Sequence, residues 1–103
     1  MECRSITLYS NEWRECRRFY VEFLGLGVVA EGEDRFLALE GLPLCIDAAH
    51  GRPVTGGSLL FRTEDLGDVR QRAAHMGYPV QRETDNSVYF LDPDGREVQV
   101  YAD

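Results

Sequence analysis

Asp47 and Glu97, three tyrosines and Arg62 carry most of the chemistry that this chain could perform. Either carboxylate could act as a general base, with Arg62 or one of Tyr9, Tyr89 and Tyr101 stabilising a developing oxyanion. The same groups could instead hold a ligand: the rings would stack on it, Asp47 and Glu97 would meet a cation, and Arg62 would pair with a carboxylate or an acidic ligand. Cys45 has no histidine near it in sequence to activate its thiol, so it reads as a small buried hydrophobe rather than a nucleophile. All eleven cationic side chains are arginines. Without lysine there is no Schiff-base chemistry and no phosphate-binding loop of the P-loop kind. Asp92-Pro93-Asp94-Gly95 has the start of a calcium loop, but the later acidic ligands are missing and no helix follows. It reads instead as a type I turn, with Pro93 presetting φ, Asp92 accepting from the turn's N–H groups and Gly95 leaving without steric cost.

The totals bound the partners. With 103 residues, 44% hydrophobic and 28% charged, the chain is expected to form one domain over residues 1–103. A net charge of −7 argues against nucleic acid, which is bound by clustered cations, and suits a cationic ligand. No apolar run approaches the roughly 20 residues of a membrane span, and Glu2 and Arg4 follow Met1 where a leader would be apolar. Cys3, Cys16 and Cys45 are an odd, unpatterned set, expected to be free thiols in a reducing cytoplasm.

These residues need strands to position them. Ser5 to Ser10 alternates, with Ile6 and Leu8 facing one way and Ser5, Thr7 and Tyr9 the other. Asn11 is expected to cap a helix in which Trp13, Cys16, Tyr20 and Phe23 form the buried stripe, and Gly25 ends it. Short strands follow at about Val28–Glu31, Arg35–Leu39 and Leu44–Asp47, divided by Gly32-Glu33-Asp34 and Gly41-Leu42-Pro43. Residues 48–57 form the one linker, with Pro53 and three glycines.

The pattern then begins again. A shift of 53 positions (58 − 5) lays Ser58 on Ser5, Leu59 on Ile6 and Phe61 on Leu8. It also lays Leu66, Val69, Ala73 and Met76 on the stripe of the first helix, and Gly77 ends the second. Phe90 falls on Leu37, and with one extra residue in the hairpin Val98 falls on Leu44 and Val100 on Ile46. Self-similarity at a fixed offset implies two tandem βαβββ modules, at about 4–48 and 57–103, in an α+β fold.

Two segments carry a family resemblance that covers essentially the whole chain. Tyr20-Val21-Glu22-Phe23-Leu24-Gly25-Leu26 and Phe90-Leu91-Asp92-Pro93-Asp94-Gly95-Arg96 resemble those of the vicinal oxygen chelate superfamily. This superfamily comprises glyoxalase I, the bleomycin-resistance proteins and the extradiol dioxygenases. The resemblance implies that each module is an incomplete barrel with its helix outside and a cup inside. It also implies a homodimer, in some members made by exchanging modules. In the family's metal enzymes, His, Glu or Gln at four strand positions hold a divalent ion. Those positions here are Ser5, Cys45, Ser58 and Gln99. Two hydroxyls, a thiol and an amide do not make such a site. His50 lies in the linker and His75 on the wet face of the second helix. No metal and no cofactor are therefore expected.

Alternation gives the cup-facing set: Ser5, Thr7, Tyr9, Cys45 and Asp47 from the first module, with Phe36 and Ala38 if the third strand keeps register. The second module adds Ser58, Leu60, Arg62, Tyr89, Glu97, Gln99 and Tyr101. Tyr89 and Tyr101 are expected to meet across neighbouring strands, Glu97, beside Arg96 and the turn, has an ordinary exposed charge as its alternative reading, and loops after Gly32 and Arg82 are expected to flank the cup. The leading expectation is a metal-free protein that, like the bleomycin-resistance branch, sequesters an aromatic or cationic compound. The alternatives are a glyoxalase-like lyase or isomerase, or a dioxygenase-family enzyme, working in the same cup with Glu97 as candidate base, and an interaction module with a vestigial cup.

Overall fold

Alternating side chains in the first forty-eight residues become a four-stranded sheet because one set has a helix to be buried under. In the computed structural model, which describes residues 1–33, 35–41, 44–54 and 56–103, the chain divides into two compact units, Met1–Thr55 and Gly56–Asp103. The expected turn residues Asp34, Leu42 and Pro43 lie outside the described residues.

In the first unit, β1 (Ile6–Ser10), β2 (Val28–Gly32), β3 (Phe36–Leu39) and β4 (Leu44–Ala48) form a sheet in the order β1-β4-β3-β2. β1 runs parallel to β4, and β4 antiparallel to β3. Leu8, Ile46 and Leu37 lie opposite one another in one row and are all buried. The helical segment covers this face, and Trp13 Nε1 donates to the Ile46 carbonyl at 3.0 Å.

That segment departs from expectation in three ways. It is α1 (Trp13–Arg17) followed by a π-helical turn over Arg18–Phe23. The wider turn, closed by the Leu24 N–H on the Phe19 carbonyl at 2.9 Å, accommodates Phe19 and Tyr20 together in the core. Their rings meet edge to face at 5.0 Å, and Phe23 adds a second contact at 5.3 Å. Phe19 thus joins the stripe that spacing assigned to Trp13, Cys16, Tyr20 and Phe23, while Trp13 is only half-buried. Asn11 is not at the cap position, which falls on Glu12, without a side-chain cap bond of its own; Ser10 Oγ accepts the Glu12 N–H at 2.9 Å.

The second unit repeats the plan. β5 (Ser58–Arg62), β6 (Arg82–Thr84), β7 (Ser87–Leu91) and β8 (Glu97–Tyr101) form a sheet in the order β5-β8-β7-β6. α2 (Leu66–Met76) buries Leu66, Val69 and Ala73. Asp65 caps it by accepting the Asp68 N–H at 3.0 Å, and Gly77 ends it in the left-handed region. The pairings Thr7↔Cys45 and Leu60↔Gln99 occupy equivalent places in the two units, so the repeat extends to register, with its one extra residue in the last hairpin. Arg82, expected to open a loop, begins β6 instead. All three β6 residues are exposed, so no alternation marks it in the sequence.

The hairpin turn closes as its chemistry requires. The Gly95 N–H donates to the Asp92 carbonyl at 2.9 Å, and Asp92 Oδ1 accepts from both the Asp94 and Arg96 N–H groups at 2.9 Å. Arg96, which the alternation pattern leaves unassigned, is buried. It is 2% exposed, with Nη1 3.0 Å from Asp92 Oδ2 and 3.4 Å from Asp94 Oδ2. The turn's two carboxylates supply the partners that a buried guanidinium needs.

Candidate functional site

Each sheet has one face under its helix and one face left over. In the first unit the second face carries two rows across β1, β4 and β3. Tyr9, Asp47 and Phe36 form one, and Thr7, Cys45 and Ala38 the other. Register therefore brings five of the predicted residues together with Ala38 on one side of one sheet. Ser5 sits just before β1 and is exposed.

The Tyr9–Asp47–Phe36 row is chemically the most pointed feature. Asp47 Oδ1 is closed off from solvent and has no hydrogen-bond partner. A buried acceptor without a donor costs stability, and natural folds usually supply one. Burial pushes the Asp47 carboxyl above the ordinary carboxylate range, and the charge of Arg52 partly offsets this. Arg52 comes from the linker, and its guanidinium carbon stands 5.1 Å from the Tyr9 ring centroid. Nothing in the alternation pattern marks Arg52, so sequence reasoning passed over it. Cys45 is buried, and desolvation raises its thiol above the ordinary value. The Asp47 charge acts in the same direction, against a small lowering by Ser5. A thiol held protonated is neither a nucleophile nor a good metal ligand.

In the second unit, Ser58, Glu97 and Leu91 share one row, Leu60, Gln99 and Tyr89 the next, and Arg62, Tyr101 and Ser87 the third. Tyr89 therefore faces Gln99, and Tyr101 faces Ser87. The two rings are diagonal neighbours, not the directly opposed pair expected. Tyr89 is covered instead by Arg82, whose guanidinium carbon is 4.0 Å from the ring centroid. Arg82 Nη2 also lies 3.8 Å from Glu97 Oε2, so a substrate proton would compete with a guanidinium for the candidate base. Arg62 already has partners, with Nε 2.9 Å from Asp103 Oδ2 and Nη1 3.1 Å from Glu64 Oε1. It is exposed, and its charge has no need of a ligand.

The four positions aligned with the metal-binding pattern form two diagonal pairs, Ser5 with Cys45 and Ser58 with Gln99. They offer no imidazole and no carboxylate, and the one thiol is held in its neutral form. Among the described residues, no group of three His, Cys, Asp or Glu side chains converges. This donor set does not fit a catalytic divalent ion.

Two βαβββ units with this strand order define the class: an α+β fold of paired modules, each with one helix on its mixed sheet. It is the fold shared by glyoxalase and bleomycin-resistance proteins. TnmS3, an antibiotic-binding protein from Streptomyces sp. CB03234, superimposes with a TM-score of 0.73 at 23% identity, over 99% of this chain and 95% of that one. The lactoylglutathione lyase of Agrobacterium tumefaciens does so with 0.73 at 20% identity, over 98% and 92%. The glyoxalase I of Leishmania major gives 0.76 at 17% identity, over 99% and 86%. At these identities the likeness is one of fold. No protein-family model matches the sequence, and no curated protein matches it significantly. Among the described residues, no helix is long and apolar enough to cross a membrane.

Proposed function

We propose that this is a metal-free binding protein that sequesters an aromatic or cationic small molecule against the open sheet face, with Asp47 as its principal polar anchor. One observation carries the reading. A buried carboxylate oxygen without a donor lies in a row between two aromatic residues, on the side of the sheet that the helix does not cover. A ligand with an N–H or ammonium group beside a flat ring would pair with the half-buried Asp47 carboxylate and stack against Tyr9 and Phe36, the latter 37% exposed. The net charge of −7 favours the approach of cations. The same fold in a protein described as antibiotic-binding is consistent with this role.

The test is the thermal midpoint of the protein against a panel of cationic aromatic compounds, bleomycin-type glycopeptides included. A ligand at 100 times its dissociation constant adds roughly 2.7 kcal/mol, a shift of about 10 °C or more for a domain of this size. Asp47→Asn should remove most of that shift. A panel without effect at high excess, or equal shifts in the variant, would sink the reading.

A homodimer belongs to the same proposal. Ile6, Val29, Leu60 and Leu91 are each about half exposed or more, and a second copy would cover such residues. Light scattering at twice 11.7 kDa would support it, and a monomer at high concentration would count against it. Three free thiols, at Cys3, Cys16 and Cys45, favour a reducing compartment such as the cytoplasm.

A further inference from the structure

The parallel strands β1 and β4 end side by side at Ser10 and Ala48. Just beyond them the first unit holds a cavity of about 200 Å³. Ser10 and Ala48 alternate with Tyr9 and Asp47, so this cavity belongs to the helix side of the sheet and not to the face described above. Its wall carries Asn11, Trp13, Arg35 and His50.

Two features set it apart. Arg35 (φ 60°) and His50 (φ 47°) are the only non-glycine residues at positive φ among the described residues, and both line this one cavity. Side chains rarely adopt that backbone region, and such residues persist where the surroundings hold them. The surroundings here do so: the Arg35 carbonyl accepts the Ala48 N–H at 3.0 Å, and the Ser10 carbonyl accepts the Ala49 N–H at 2.9 Å. Trp13 is fixed in turn by its Nε1 bond to Ile46. Trp13, Arg35 and His50 thus line one cavity, with the backbone at two of them in an uncommon conformation.

We propose that this cavity is a second binding site, for a small planar monocarboxylate. A guanidinium fork matches a carboxylate in shape and charge. His50 can add a donor, and the indole of Trp13 offers a flat apolar surface already locked in place. The cavity is smaller than those that take drug-sized ligands, which limits the body to about one ring. The acidic chain disfavours anions of higher charge.

Trp13 is the single tryptophan of the chain, so its emission reports on this site alone. The experiment titrates benzoate into the full-length protein, with benzamide as the neutral isostere and inorganic phosphate as the competing oxyanion. Benzoate should give a saturable change that benzamide and phosphate do not match. Arg35→Gly relieves the strained backbone while deleting the guanidinium, so its thermal midpoint should stay level or rise while benzoate affinity falls about tenfold or more. Asp47→Asn, on the opposite face, should leave benzoate binding unchanged, which separates this site from the one proposed above. Equal responses to benzoate and benzamide, unweakened binding by a folded Arg35→Gly variant, or no saturation by about 10 mM would each overturn it; affinities weaker than millimolar correspond to less than about 4 kcal/mol.

Discussion

The guanidinium of Arg52 stands 5.1 Å from the ring centroid of Tyr9, directly across the strand pair from Asp47. A cation of the protein itself thus occupies part of the face where a cationic ligand is proposed to sit. The second unit has the same motif, with Arg82 over Tyr89 at 4.0 Å.

Removing the resident cation should help a foreign one. Arg52→Ala is expected to raise the affinity for a cationic aromatic ligand several-fold, since the ligand no longer displaces a cation–π contact worth about 0.5–1 kcal/mol at an exposed site. Calorimetric titration of both proteins checks this, and weaker binding by the variant would show that Arg52 helps to hold the ligand.

Asp47 gives a pH signature of known sign. Its carboxyl is held above the ordinary value, so the folded state retains a proton that the unfolded chain releases at about pH 3.9. Stability from this group is therefore full below that pH and is lost as pH rises toward the raised value. Asp47→Asn should match the parent near pH 3.5 and then exceed it increasingly as pH rises through the raised value, because the amide has no charge to bury. Thermal midpoints from pH 3.5 to 8 decide the matter, and a constant difference between the two proteins would refute the assignment.

The turn of the last hairpin should be far less tolerant than its surface neighbours. Arg96→Ala leaves Asp92 and Asp94 as buried carboxylates without their cation, a loss of about 3–5 kcal/mol. Domains of this kind have only about 5–15 kcal/mol in total. Arg62→Ala breaks exposed ion pairs and should leave the urea midpoint unchanged within error.

The thiols should divide sharply. Cys3 is exposed while Cys16 and Cys45 are buried, so Ellman's reagent should titrate one thiol at once and the other two only on unfolding. Rapid reaction of Cys45 would contradict its raised thiol pKa.

Much of the fold was legible because burial on one face of an element leaves a period in the sequence. Leu8, Val98 and Val100 alternate with more polar neighbours, and Leu66, Val69 and Ala73 recur at helical spacing. The offset of 53 positions then duplicated the plan, down to the register of Thr7 with Cys45 and Leu60 with Gln99. β6 escaped notice because both of its faces are exposed. The π-helical turn did so because its cause, the accommodation of two adjacent rings, is a packing event and not a period.

The sequence by itself determined which residues share a face: Tyr9, Asp47, Phe36, Cys45 and Thr7 on one sheet, Tyr89, Glu97, Gln99 and Tyr101 on the other. Strand alternation admits only two sides, so the assignment is nearly binary. It could not determine which charges on those faces are already satisfied. That Arg96 is buried between two aspartates of its own turn, that Arg52 and Arg82 cover tyrosines, and that Asp47 keeps a buried oxygen without a donor are facts of distance. Only the tertiary structure fixes those distances, because a charge finds its partner through space, and pairing along the chain leaves no period to read.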